Sequence, residues 1–294
     1  MSDAAGSYYL PEPSKWPVVG SIGLFLTTGG FAYALTSGVD GNMGNMTIMY
    51  VGFLIIAYML FGWFGQVIDE SESGKYDAQV DTSFRMGMMW FIFSEVMFFA
   101  AFFGALFYAR QLAGPWLDGE GNNAMTHALL WPDFKFEWPM LNVPGEGYNK
   151  PEGTIGAWGV PFYNTLILLS SGVTVTWAHH ALKKGERTQL IIGLFLTVAL
   201  GFLFVFMQAE EYIHAYTELN LKLSSGTYGS TFFMLTGFHG LHVTIGAIML
   251  TVMLVRSIKG HFTAKHHFAF EAAAWYWHFV DVVWLGLFIV VYWL

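Results

Sequence analysis

The stretch from 268 to 293 reads FAFEAAAWYWHFVDVVWLGLFIVVYW, and it contains no Lys or Arg and only two acidic residues, Glu271 and Asp281. A membrane-spanning helix needs about 20 mainly apolar residues, because the hydrocarbon core is about 30 Å thick and the helix rises about 1.5 Å per residue. The stretch therefore predicts a helix that crosses a membrane.

Six earlier segments have the same apolar character. Together with 268–293 they predict an all-α integral membrane protein of seven transmembrane helices, forming one membrane domain over residues 1–294. The six segments lie at about 17–36, 47–66, 86–109, 156–182, 189–212 and 228–255.

The loops predict the orientation of these helices, because Lys and Arg resist translocation. With the amino terminus inside, nine of the 13 basic residues fall on the inner side. We therefore expect an internal amino terminus and an external carboxyl terminus. The outer loop 110–155 contains three Trp and five Pro, and we expect it to form an ordered cap without regular structure.

Composition excludes several classes of function. Hydrophobic residues make up 55% of the chain and charged residues 12%, against about 25% charged residues in soluble domains. No Lys/Arg cluster of the kind that binds nucleic acid is present. Cysteine is absent, which removes disulfides, thiolate zinc sites, iron–sulfur clusters and the two-thiolate dinuclear copper centre. The amino terminus lacks the pattern of a removable targeting segment.

Glu95 is the most unusual polar residue in the spans. It lies about 14 Å into the third predicted helix, near the middle of the membrane, where an ionised side chain costs about 2.5–3.5 kcal/mol. Three interpretations remain open: a structural hydrogen bond between helices, a contact linked to lipid headgroups or protons, and a direct place in a proton path.

Other ionisable residues in the spans have competing interpretations. His239 and His242 lie at i and i+3 and could share a metal, but the neighbouring glycines favour close helix packing with the imidazoles bonding across it. Glu271 and His278 form a polar stripe with Asp281 beside it, which predicts contact with protein. We expect all five to be structural and expect no metal site.

Two further pairs of residues carry side chains that can bind metals, but their sequence patterns do not support a metal site. Glu211 and His214 make one Glu-x-x-His motif, which di-iron carboxylate bundles use twice, and no second copy exists. His179 and His180 lie at the inner end of the fourth span, where solvated interfacial histidines are expected.

Several motifs together resemble cytochrome c oxidase subunit III. They are SEVMFFAAFF around Glu95, SSGVTVTWAHHAL from Ser170, QAEEY from Gln208, YGSTFFMLTGFHGLHVTIGA from Tyr228 and HFTAKHHFAFEAAAWYWHFVDVVWL from His261. The resemblance covers the third to seventh spans closely and the outer loop hardly at all. Seven spans favour the cytochrome c type over quinol oxidases, whose subunit III usually lacks the first two helices.

The resemblance implies a core subunit without a catalytic centre, in a complex whose haem and copper belong to partner chains. It implies binding to subunit I, with subunit II in the same complex, and support of proton uptake during oxygen reduction in aerobic respiration. The first two helices would splay from the other five around a V-shaped cleft that holds phospholipids. Residues assigned by the resemblance to lipid binding or proton-linked contacts are Glu95, Glu70, Arg256, Lys259 and His267.

The sequence also departs from the family pattern. Where the family commonly reads WWRDVIRE, residues 63–70 read WFGQVIDE, so that Glu70 is kept and both Arg positions are lost. Lys75 and Arg85 are the alternative cations for a lipid phosphate there.

Two hypotheses from other classes remain. A stand-alone ion-coupled transporter would use Glu95, Glu271 and Asp281 as carriers, although no pair of related halves is visible. A membrane di-iron oxidase would need a second Glu-x-x-His motif, and the sequence contains only one. A bacterial inner membrane is expected in preference to a mitochondrial one.

Overall fold

The computed structural model describes residues 9–38, 43–145 and 147–294, and within these ranges it is helical and contains no strand. Seven helices have at least 20 residues, and two short ones follow the third of them. In order they are α1 (Trp16–Thr36), α2 (Thr47–Glu72), α3 (Ala78–Tyr108), α4 (Gly114–Leu117), α5 (Ala124–Leu130), α6 (Val160–Lys184), α7 (Arg187–Thr217), α8 (Gly226–Lys259) and α9 (Phe268–Leu287).

Six of the long helices are apolar enough to cross a membrane. The exception is α6, whose 25 residues provide the length but whose apolar stretch is interrupted by polar side chains such as Asn164, Thr174 and His179. The predicted fourth span therefore forms a helix, and its passage through the membrane stays a prediction.

The helices extend beyond the predicted spans at several ends. Thus α2 continues to Glu72, and α3 begins at Ala78, before its apolar run. The Asp77 carboxylate accepts a 2.8 Å hydrogen bond from the backbone N–H of Val80, which satisfies one of the free N–H groups at the start of α3. Hydropathy identifies the lipid-embedded part of a helix, whereas capping determines where the helix begins.

The loop predicted at 110–155 is more regular than expected. A π-helical turn at Ala109–Ala113, α4, a 3-10 turn at Gly121–Asn123 and α5 fill its first part, so the expectation of no regular structure is wrong there. Pro115 at the start of α4 explains part of the difference, because proline is well suited to the first turn of a helix.

The chain divides into two compact units, Met1–Phe84 and Arg85–Leu294. In the first unit α1 packs on α2. Gly52 of α2 lies against the backbone and side chain of Thr27, where a Cβ atom would clash, so glycine allows this close approach. The predicted V-shaped lipid cleft stays a prediction.

The second unit has a closed ring of helices. Each of α6, α7, α8 and α9 contacts the next, and α9 contacts α6. Large aromatic side chains fill the ring, among them the fully buried Phe204, Trp277 and Trp284. The Trp284 indole N–H donates a 2.9 Å hydrogen bond to Thr165 Oγ1, which ties α9 to α6.

Large apolar side chains cover much of the helix surface. In α2 only Gly52 and Glu70 are buried, while Leu54 and Phe61 expose 70% and 83% of their surface. Exposure on this scale is unfavourable in water, so these faces require lipid or a protein partner.

Candidate functional site

The carboxyl group of Glu95 on α3 meets an imidazole on α8. Glu95 Oε2 lies 2.8 Å from His242 Nε2, with 21% and 10% of the two side chains exposed. The rings of Phe98, Phe99 and Tyr276 surround the imidazole at centroid distances of 5.0–6.4 Å. The imidazole is therefore enclosed by aromatic rings, whereas Glu95 is partly exposed.

This pair shares a proton. His242 Nδ1 lies 2.6 Å from the backbone carbonyl of Phe238, and a carbonyl only accepts, so Nδ1 carries hydrogen. The contact between Nε2 and Glu95 Oε2 then needs a second hydrogen, which belongs either to an imidazolium or to a protonated carboxyl group. Glu95 and His242 therefore hold one proton between them, and this proton is part of the contact between α3 and α8.

His239, three residues earlier, has a different partner. Its Nε2 donates a 3.0 Å hydrogen bond to the backbone carbonyl of Val280 on α9, and the side chain is fully buried. Since the two Nε2 atoms of His239 and His242 bind different groups, the geometry does not favour a metal shared between them.

Asp281 and His278 lie at the contact between α9 and α6. Asp281 is buried, and its Oδ2 is 3.6 Å from His278 Nδ1. His278 Nε2 is 3.3 Å from Thr176 Oγ1 on α6. A Cβ atom at Gly172 would meet the same Asp281 oxygen, so glycine leaves room for the carboxylate. Asp281 thus faces protein, while His278 is largely exposed.

Glu271 is the centre of a cluster at the start of α9. Arg85 of α3 pairs with Glu271 Oε2. His179 Nε2 of α6 and His267 Nε2, just before α9, lie 3.4 Å and 3.2 Å from Glu271 Oε1. The expectation of a solvated His179 is wrong, because its ring points into this cluster, whereas the adjacent His180 is exposed.

The cationic end of α8 holds Arg256 and Lys259, both in its last turn. Arg256 is buried, with its guanidinium carbon 4.5 Å from the centroid of the Phe262 ring. Lys259 is exposed. Two cations at one helix end suit a phosphate, and Lys259 is the more accessible of them.

Glu70 is buried in the first unit, at the end of α2. Its two carboxylate oxygens accept hydrogen bonds from Gln66 Nε2 at 3.1 Å and from the Tyr76 hydroxyl at 2.9 Å. Burial, followed by the hydrogen bond and charge of Glu70, raises the pKa of Tyr76. The phenol therefore stays a hydrogen-bond donor to the carboxylate.

A cavity of about 300 Å³ opens beside Glu70. Its lining contains one cation and several acidic or neutral polar side chains, namely Glu12, Gln66, Asp69, Glu70, Ser73 and Lys75. Of the two cations considered as replacements for the missing arginines, Lys75 lines this cavity, whereas Arg85 pairs with Glu271.

A buried network around Glu211 was not predicted from the sequence. Glu211 Oε1 accepts hydrogen bonds from the Tyr292 hydroxyl at 2.7 Å and from Gln208 Nε2 at 3.0 Å. His214 instead faces Glu218 at 3.2 Å on the helix surface. The Glu-x-x-His pair therefore does not converge on a common ligand, which removes the geometric basis of a di-iron site there. No local pattern pointed to Tyr292, 81 residues away along the chain.

Comparison with known proteins gives a consistent result. The family described as cytochrome c oxidase subunit III matches residues 6–143 and 150–294. Proteins named cytochrome c oxidase subunit 3 from Gadus morhua and Pongo abelii are each 42% identical over 294 residues, covering 100% of this chain and 99% of theirs. The protein of that name from Oncorhynchus clarkii is 41% identical over the same length. These relatives come from vertebrates, so the comparison does not favour the bacterial setting expected from the sequence.

Proposed function

Because the chain belongs to the cytochrome c oxidase subunit III family, we propose that it is a core subunit, without a catalytic centre, of a proton-pumping cytochrome c oxidase. In this proposal it binds and stabilises subunit I, with subunit II in the same complex. It also holds structural phospholipids and supports proton uptake during oxygen reduction. The haem and copper belong to the partner chains, and the complex lies in an inner membrane.

The observation that carries this proposal is the way in which buried polar groups join helices. His239 of α8 binds a carbonyl of α9, and Glu211 of α7 binds Tyr292 in the π-helical turn Phe288–Trp293 that continues α9. Trp277 and Trp284 of α9 donate to hydroxyl groups on α6. Such hydrogen bonds connect every helix of the ring to another. They favour a rigid scaffold for neighbouring chains.

The same observation weighs against a stand-alone transporter. Transporters commonly bind their substrate at helices broken near the middle of the membrane. Here α7 and α8 run as continuous helices of 31 and 34 residues. Glu271, one of the three proposed carriers, is also held in an ion pair with Arg85.

A role in proton uptake is supported by the pair of Glu95 and His242. The pair holds one proton beside the aromatic rings that surround the His242 imidazole. We propose that it exchanges protons with the path that serves subunit I.

A role in lipid binding is supported by two polar places on apolar surfaces. One is the end of α8 with Arg256 and Lys259. The other is the cavity beside Glu70, where Lys75 is one cation among three acidic side chains, so that both the amine and the phosphate of a zwitterionic headgroup would find a partner of opposite charge. Lipid phosphates bind Lys and Arg at the membrane edge, while acyl chains cover exposed apolar side chains such as Phe61.

Purification through an affinity tag on this chain tests the proposal. We expect haem-containing chains to co-purify, with the visible spectrum of a haem–copper oxidase, and we expect the chain separated from them to lack visible absorbance. Oxidation of reduced cytochrome c supports the cytochrome c type, and oxidation of quinol alone supports a quinol oxidase instead. Haem bound by the separated chain, or ion uptake by vesicles holding only this chain, would contradict the proposal.

A further inference from the structure

We propose that His179, His267 and Glu271 form a binding site for a divalent metal ion of the zinc class. Within the described part of the chain, this is the group of His and carboxylate side chains whose ligand atoms converge, all lying within 4.8 Å of one another. The site goes beyond the proposed function and differs from the expectation, drawn from the sequence, that the chain holds no metal.

The distances fit tetrahedral coordination. Zinc binds imidazole nitrogen and carboxylate oxygen at about 2.0–2.2 Å, so two ligand atoms of a tetrahedron lie about 3.3 Å apart. Glu271 Oε1 is 3.4 Å from His179 Nε2 and 3.2 Å from His267 Nε2. Two of the three separations therefore already match those around one bound ion, and the third, between the two imidazole nitrogens, is at most 4.8 Å.

The two ring nitrogens that face Glu271 have no hydrogen-bond partner. His179 Nε2 and His267 Nε2 are both buried atoms without one. His267 Nδ1 lies 3.1 Å from the carbonyl oxygen of Thr263, to which it donates, so the neutral ring presents the lone pair of Nε2 towards Glu271. A lone pair facing a carboxylate oxygen is unfavourable unless a cation or a proton lies between them.

Arg85 holds the carboxylate of Glu271 in place without occupying the oxygen that faces the imidazoles. It pairs with Glu271 Oε2 and leaves Oε1 directed at the two imidazoles. Partners of this kind orient metal ligands in other proteins. Two imidazoles with one carboxylate favour zinc over magnesium or calcium, which prefer oxygen ligands.

A bound ion would have a structural consequence. It would join the carboxyl-terminal end of α6 to the start of α9. Further along, the two helices are joined by the hydrogen bonds of Trp277 and Trp284. Three protein ligands also leave a fourth coordination position for water or for a group from a neighbouring chain.

The test uses the full chain, purified with the chains that accompany it, stripped with a chelator and titrated with zinc. We expect one tightly bound zinc that depends on this chain, with X-ray absorption at the zinc edge showing nitrogen and oxygen ligands at about 2.0–2.1 Å. This edge is separate from those of iron and copper.

Two matched variants assign the site. His179→Ala should weaken zinc binding about 100-fold, whereas His180→Ala, which alters the exposed neighbour, should bind as the unaltered chain does. If His179→Ala does not accumulate, His179→Gln keeps a polar side chain of similar size and should show the same loss. Equal binding by the His179 and His180 variants, or no binding by the unaltered chain at neutral pH, would overturn the proposal.

Discussion

The indole N–H of Trp277 donates a 2.8 Å hydrogen bond to Ser171 Oγ, and neither residue exposes any surface. The two residues lie on α9 and α6, 106 positions apart along the chain. The Trp277 ring also fills the space beside Gly201 of α7 and Gly246 of α8. One side chain therefore contacts the other three helices of the ring.

Trp277→Phe should lower the free energy of unfolding by about 2–4 kcal/mol. The change removes the hydrogen bond to Ser171 and leaves a cavity between the four helices. Thermal unfolding in detergent, followed by loss of the monodisperse complex on size-exclusion chromatography, measures the effect. Trp158→Phe is the control, because Trp158 is 70% exposed. Equal stability of the two variants would show that Trp277 does not hold the ring together.

Glu95→Gln should leave an assembled complex, because glutamine keeps the shape and can still bind His242. We expect reduced durability during turnover or altered lipid retention, since the pair can no longer exchange its proton. Oxygen consumption followed over repeated turnovers, with phospholipid content per complex, gives the measurement. Glu95→Ala, which also removes the interhelix bond, should reduce assembly as well. If the Gln variant itself fails to assemble, the carboxyl group is chiefly structural.

Tyr76→Phe should destabilise the first unit by about 1 kcal/mol at neutral pH, because one oxygen of the buried Glu70 loses its donor. The pKa of Tyr76 is raised in the folded chain. Its contribution is therefore fully present below the unfolded pKa of about 10 and is lost as pH rises through the folded pKa.

Alkaline unfolding of the two forms tests this linkage. The stability difference between the unaltered chain and Tyr76→Phe should be constant below about pH 10 and should shrink at higher pH. Tyr33→Phe, at a side chain that is 53% exposed, should show no such change. A difference that grows with rising pH would contradict the raised pKa.

Lys75→Gln should reduce the phospholipid retained by the purified complex, because Lys75 is the one cation among three acidic side chains that line the cavity beside Glu70, and without it the lining repels a phosphate. Lipid extraction and mass spectrometry give the headgroups per complex. Lys183→Gln, at an exposed position near the end of α6, serves as the control for loss of charge alone. Unchanged lipid in the Lys75 variant would show that the cavity does not hold a phosphate.

The apolar helices could be predicted from the sequence because each depends on a local property. Each of the seven long helices of the described chain overlaps one predicted segment, and the seventh begins at Phe268 as predicted, although α2 and α3 extend beyond their predicted limits. Helix ends were less predictable, since caps such as Asp77 lie outside the apolar runs. Helix α6 is a different case, because its polar side chains lower its hydropathy, so that hydropathy alone does not identify it as a membrane span.

The sequence by itself determined that this is a helical chain for an apolar environment and identified its family, because composition, length of apolar runs and local motifs are read without knowing which residues meet. Only the tertiary structure decided that Glu95 meets His242, 147 positions away, and that His179 turns into the cluster of Glu271 while His180 does not. The physical reason is that an ionisable side chain among apolar helices is stabilised by its nearest partner, and helix packing alone determines which partner that is.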